Sequence, residues 1–251
     1  MFGHTYRTLS HCRKKPGPRV ALIRVAVLAL AFFAGEAVMN AIAAEYRKGQ
    51  HLLIGTTNLD ATRPVAWNIG KIAASGAPGA LDLIHDVMIA SASIPVVFPP
   101  QIFEVEVDGE PYDQMHVDGG VTRQSFLFSF GLDDKALAER FGAEGQTSAY
   151  IVRNSRLKPK WQSVNNSIVE ISGRSIGSLI RTQGIGDLFS EYLGARANDF
   201  DYNLAFIPGS FNAVSNEMFD REYMNALYQL GYDMASKGYP WKKRPPGVDA
   251  Q

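Results

Sequence analysis

The chain has one cysteine, Cys12, so no intramolecular disulfide can brace its 251 residues. No cluster of Cys and His has metal-ligand spacing, which excludes a structural zinc site. An excess of one charge is lacking too. Twenty-five Lys and Arg balance 25 Asp and Glu, so the chain as a whole has no electrostatic footprint for nucleic acid and any recognition must be local. There is no internal repeat and no low-complexity tract. The longest apolar run near the start, residues 20–34, is interrupted by Arg24 and falls short of the ~20 residues of a spanning helix. What remains is a 46% hydrophobic composition, enough for a sizeable core in one domain or two.

Charge is uneven at the start, where Arg7, Arg13, Lys14, Lys15, Arg19 and Arg24 all precede the first acidic residue, Glu36. A basic lead running into an apolar stretch has the layout of an export signal or membrane-surface anchor, and Ala41-Ile42-Ala43 offers small residues for cleavage. The alternative is a buried helix or an unused leader. Residues 1–35 are accordingly set apart from a domain over 36–238 and a flexible, proline-rich and charged tail over 239–251.

Periodicity predicts a helix over Glu36 to Lys48 closed by Gly49, then a strand from His51 to Thr57. The run Leu52-Leu53-Ile54 reads as a strand buried on both faces of a parallel sheet, and the segment from Asn58 to Pro64 as turn. A helix follows from Leu81 to Ser93. Phe103, Val105 and Val107 alternate with Glu104 and Glu106 before Asp108-Gly109, which predicts a hairpin over 103–117. Later come a strand at Ala149 to Val152, a helix at Trp161 to Arg181, a strand at Leu204 to Ile207 and a helix at Glu222 to Lys237 capped by Gly238. The alternation points to α/β.

Two stretches carry chemistry, Ala90-Ser91-Ala92-Ser93-Ile94-Pro95-Val96-Val97-Phe98-Pro99-Pro100 and, later, Asp118-Gly119-Gly120. Together they resemble patatin-like phospholipases, in which such a segment precedes the Asp-Gly-Gly motif whose aspartate is half of a Ser-Asp dyad. Leu53-Ile54-Gly55-Thr56-Thr57-Asn58 and Phe219-Asp220-Arg221-Glu222-Tyr223-Met224 extend the resemblance over about residues 37 to 235. It implies a three-layer α/β/α fold with a mostly parallel central sheet, of which this chain carries the later strands. It also implies an acyl hydrolase acting on phospholipid or other acyl-ester substrates, with a membrane surface as a candidate partner and without metal or organic cofactor. Asp118 would be the general base, with Gly119 and Gly120 letting the chain turn sharply and a substrate approach closely. His116, two residues away, reads as a surface or hydrogen-bonded core histidine rather than a catalyst. Phe98, Phe126 and Phe128 are candidates to line an acyl channel, with ordinary core as the alternative.

The family's glycine-rich oxyanion loop and Gly-x-Ser-x-Gly elbow have no counterpart before Asp118, and residues 1–35 do not resemble its N-terminal half. A catalytically inactive remnant or lipid-binding module is therefore the rival reading. One Gly-x-Ser-x-Gly does occur, Gly173-Arg174-Ser175-Ile176-Gly177. It follows the aspartate, lies on a helical repeat with Val164, Ile168, Ile171 and Leu179, and comes after His4, His11, His51, His85 and His116, so the triad order Ser, Asp, His cannot be completed. Ser175 is set aside as nucleophile. Gly184-Ile185-Gly186-Asp187 and the sequon Asn165-Asn166-Ser167 read as structural.

Overall fold

The computed structural model describes residues 35–127, 147–158, 161, 163–215, 217 and 219–248. Almost all of the leader, along with Phe128, lies outside them. The chain is mixed α/β and divides into two compact units, Met1–Gln124 and Ser125–Gln251, where the sequence suggested one domain over 36–238.

The first unit is a four-stranded sheet in the order β2-β1-β4-β3, formed by β1 (Leu53–Asn58), β2 (Arg63–Asn68), β3 (Gln101–Val107) and β4 (Glu110–Asp118). Three helices accompany it: α1 (Glu36–Arg47), α2 (Ile69–Ala74) and α3 (Ala80–Ser91). Trp67 and Phe103 from the sheet bury against Ala43 of α1, Ile69 and Ala73 of α2, and Ile84, Val87 and Ala90 of α3. The i, i+3 spacing of Ile84, Val87 and Ala90 puts one apolar stripe of α3 in that core. The β3–β4 hairpin closes at Asp108 (φ 54°) and Gly109 (φ 86°), the two successive positive dihedrals of a primed turn whose twist matches the strands.

This sheet corrects the expectation of a parallel one, since every pairing in it is antiparallel. The reason is local. Asn58 Oδ1 accepts from the Ala61 N–H at 2.9 Å, Thr62 takes φ 51°, and the chain reverses tightly into β2. Tight reversal allows only an antiparallel neighbour. The polar segment before Pro64 is thus a hairpin turn, and Arg63 and Pro64 already belong to the returning strand.

The second unit contains the parallel pair of β5 (Ser148–Arg156) and β6 (Asp201–Ile207), connected through α4 (Ile168–Ala197). Ile151, Tyr202 and Leu204 from the strands pack on Leu188 and Ala195 of α4. Ser167 caps α4 by accepting from the Glu170 N–H, while the Glu170 carboxylate holds Asn165; the sequon residues thus build a helix start. A last helix, α5 (Arg221–Ser236), has no buried residue and is capped by Asp220.

Residues 239–248 are not an unpacked tail. The Tyr239 hydroxyl bonds both the N–H and the C=O of Phe206 at 3.1 Å, Lys242 bridges to Leu204, and Trp241 meets the Tyr150 ring edge-on. The aromatic residues of the tail supply the apolar contact that its proline content masked. Among the described residues, no helix is long and apolar enough to cross a membrane, and no group of three or more His, Cys, Asp or Glu could hold a metal ion.

Candidate functional site

Asp118 is the last residue of β4, paired with Thr56 of β1, and it caps the 3-10 turn Gly119–Val121. Its Oδ1 accepts from the Gly120 N–H at 2.7 Å. No other hydrogen bond reaches its carboxylate from the described residues, so Oδ1 is anchored and Oδ2 is left to a further donor. Burial pushes the carboxyl above its ordinary value, opposed by the Gly120 N–H. A raised carboxyl is a stronger base at neutral pH, the direction that proton abstraction requires.

The backbone behind this carboxylate is held on two sides. The Asp118 N–H donates to the Ser93 carbonyl at 3.0 Å, tying the strand end to the segment after α3. The Thr57 hydroxyl donates to the Asp118 carbonyl at 3.0 Å, which leaves the Thr122 hydroxyl to donate to Thr57 at 2.8 Å. Neither Gly119 nor Gly120 takes a positive φ, so the reason for glycine is space rather than dihedral freedom. A Cβ on Gly119 would stand 2.6 Å from the Gly55 carbonyl oxygen, and one on Gly120 would stand 2.9 Å from Asp118 Oδ1. The first glycine lets β1 pass behind the turn, and the second makes room for the carboxylate itself. Because the sheet is antiparallel, the rule that ligands sit beyond the carboxyl ends of parallel strands does not apply to Asp118.

Next to Asp118, the segment Ser93 to Phe98 carries exposed Ile94, Val96 and Val97. Val96 adopts φ 72°, costly for a β-branched residue. Phe98 is half-buried at the end of this segment. Phe126 belongs to the second unit, so a channel shared by these phenylalanines is not described.

His116 is 1% exposed, its ring edge-on to Phe103 and tilted against Trp67. The Trp67 indole N–H donates to Thr56 Oγ1 at 2.8 Å, and Thr56 Oγ1 lies 2.9 Å from His116 Nδ1. Burial, the largest cause, pushes its pKa down to about 4; Asp60 opposes this and Arg63 adds to it. The imidazole is therefore neutral at pH 7; with Gln114 Oε1 3.5 Å from Nε2 as the acceptor for the ring proton, Nδ1 is the nitrogen that accepts from Thr56. It is a core histidine, as its apolar neighbours dictate.

Neither Ser93 nor Ser175 is set as an elbow nucleophile. Ser93 is 2% exposed and its hydroxyl donates to the Ile89 carbonyl at 2.8 Å. Ser175 lies inside α4, exposed, in uninterrupted helix, without the strand-to-helix turn that makes an elbow. Gly184, Gly186 and Asp187 belong to the same helix.

Three contributors carry no motif of their own: the braces Thr57 and Thr122, and Asp86. The last has its pKa raised to about 6 by burial first and Asp82 second, with His85 opposing, and its Oδ1 accepts from Gln101 Nε2 at 3.1 Å. Adjacent threonines at 56 and 57 were a signal, since alternation sends one hydroxyl to each face of β1. No protein-family model matches the chain, and no curated protein matches it.

Proposed function

We propose that the chain carries the general-base half of a patatin-like acyl hydrolase acting on lipid or other carboxylic esters, with Asp118 as base. The observation that carries this reading is the presentation of one carboxylate. Oδ1 is fixed by the turn, Oδ2 receives no hydrogen bond from the described residues, and burial raises the group's basicity. In the proposed reaction a serine oxygen attacks the ester carbonyl carbon while Asp118 takes the hydroxyl proton, then delivers it to the departing alcohol. Water repeats the sequence on the acyl-enzyme and releases the acid. The nucleophile is not assigned to Ser93 or Ser175, and the three-layer arrangement of the family belongs to the same proposal.

One observation favours a second reading, a lipid-binding module without chemistry: the bond to Gly120 is by itself a sufficient structural role for Asp118. The two readings separate on ester hydrolysis. Purified protein given a short-chain nitrophenyl ester should hydrolyse it. Asp118→Asn should lower the rate ~100-fold or more, and Ser175→Ala should leave it unchanged. Hydrolysis absent from the wild type, or untouched by Asp118→Asn, would sink the catalytic reading, and loss with Ser175→Ala would make the helical serine the nucleophile.

A further inference from the structure

The segment Ile94-Pro95-Val96-Val97-Phe98-Pro99-Pro100, between α3 and β3, has no side chain that can donate or accept a hydrogen bond. Ile94, Val96, Val97, Pro99 and Pro100 are exposed, and Val96 reaches 70%. Exposed apolar residues scattered singly need no explanation, but a continuous run of them marks a surface that meets something.

The backbone of this tip is closed on itself. Pro95, Pro99 and Pro100 have no N–H to satisfy. The Ile94 N–H donates to the Ala92 carbonyl at 3.0 Å, and the Val97 and Phe98 N–H groups both donate to the Ile94 carbonyl, at 3.1 and 2.9 Å. Val96 makes the turn by taking φ 72°, a left-handed conformation costly for a β-branched side chain. Core burial does not account for the valine, because it stands in solvent.

These features choose among partners. A protein surface or a second copy is a poor match, since the tip falls well short of the roughly 20–30 residues that each side of a stable protein interface contributes. Its exposed members also include none of the aromatic or arginine anchors that such interfaces use. A hydrocarbon phase asks for different qualities. It supplies no hydrogen bonds, so it favours a segment whose donors are met internally and whose side chains are apolar. We infer that residues 94–100 form a docking tip that enters the interfacial layer of a lipid bilayer, with Ile94, Val96 and Val97 among the acyl chains. The Asp118 N–H bonds the carbonyl of Ser93, immediately before the tip, so docking brings the strand end that carries Asp118 to the lipid surface. As a route by which an ester reaches that carboxylate, the tip rests on the proposed function; the binding itself does not.

Co-sedimentation of the full chain with phosphatidylcholine vesicles reads the binding without reference to hydrolysis. The wild type should bind, and binding should persist at high salt, because the tip carries no charge. Val96→Asp should weaken it ~10-fold or more by putting a carboxylate where an apolar side chain was buried. Aspartate enters the left-handed region more readily than valine, so this variant should keep the thermal transition of the wild type. Val97→Asp is the second probe and should weaken binding comparably. Asp118→Asn should bind vesicles like wild type, which tells loss of hydrolysis from loss of docking. Val97→Trp adds a positive signal, with emission quenched by bromine atoms on the acyl chains more than that of the wild type. The inference is overturned if the wild type does not bind phosphatidylcholine, or binds only anionic vesicles and is released by salt. It is overturned equally if folded Val96→Asp and Val97→Asp bind as the wild type does, or if the added tryptophan brings no further quenching. Self-association that Val96→Asp abolishes, without vesicle binding, would overturn it in favour of a contact between two copies.

Discussion

Gly119→Ala is expected to disrupt the first unit more than any other single methyl added at the site. The new Cβ would lie 2.6 Å from the Gly55 oxygen and 2.8 Å from the Gly55 carbon, where ordinary contact begins at 3.4 Å. Both atoms are backbone in the central strand β1, so no side chain can swing aside. β1 and β4 would have to part by roughly 0.8 Å, straining the Thr56↔Asp118 pairing and the Thr57 hydroxyl bond to the Asp118 carbonyl. Overpacking of this kind costs about 3 kcal/mol. Gly120→Ala differs, because its Cβ meets Asp118 Oδ1 at 2.9 Å, a side-chain atom that can rotate away. That substitution should cost about 1 kcal/mol, the worth of a lost cap bond, while displacing the proposed base. Urea unfolding followed through Trp67, which is 4% exposed in the first unit, measures both. A Gly119→Ala protein within about 0.5 kcal/mol of wild type, or one more stable than Gly120→Ala, would refute the steric argument.

Two opposed titrations should nearly cancel in the first unit. His116 has its pKa lowered from 6.5 to about 4, so the unfolded chain binds its proton first, and stability falls as pH drops through that window by about 3 kcal/mol. Asp86 has its pKa raised from 3.8 to about 6, so its folded form holds the proton longer and stability falls by a similar ~3 kcal/mol as pH rises. Removing one should unmask the other: His116→Gln should lose stability from pH 4 to 6, and Asp86→Asn should gain it, by urea midpoints at each pH. Parallel pH profiles for the two variants would contradict this pairing. In the second unit, Asp220 Oδ1 accepts from the Tyr223 N–H at 3.0 Å at the start of a helix with no buried residue. Asp220→Ala should remove about 1 kcal/mol and speed amide exchange in the first turn of α5 about fivefold; unchanged exchange would show that the cap contributes nothing.

Signals in the sequence are legible where the chemistry is local. Asp108-Gly109 predicts a hairpin because few other dipeptides tolerate two positive φ values, and the structure has both. Ser175 was placed on a helix by the repeat of Ile168, Ile171 and Leu179, and it lies there. Neither burial nor pairing direction was legible in Leu52-Leu53-Ile54: Leu52 is 46% exposed, Leu53 and Ile54 are half-buried, the buried end of β1 is Thr56–Asn58, and the strand pairs antiparallel. β2 was missed because Pro64 reads as a breaker, although an edge strand tolerates it. At the site, the order of motifs pointed to Asp118, while its fixing by Thr57, Ser93 and Gly120 depends on residues brought together by folding. Likewise, the charged and proline-rich composition of residues 239–248 hid their packing, which rests on Tyr239 and Trp241.

The most direct measurement compares Asp118→Asn with Asp118→Ala in both ester hydrolysis and thermal unfolding. Asparagine keeps an oxygen to accept the Gly120 N–H but cannot take a proton, whereas alanine removes both functions. The proposal requires Asp118→Asn to melt within about 2 °C of wild type while hydrolysis falls ~100-fold or more, and Asp118→Ala to lose stability as well. If Asp118→Asn hydrolyses the ester like wild type, Asp118 is a turn cap and not a base.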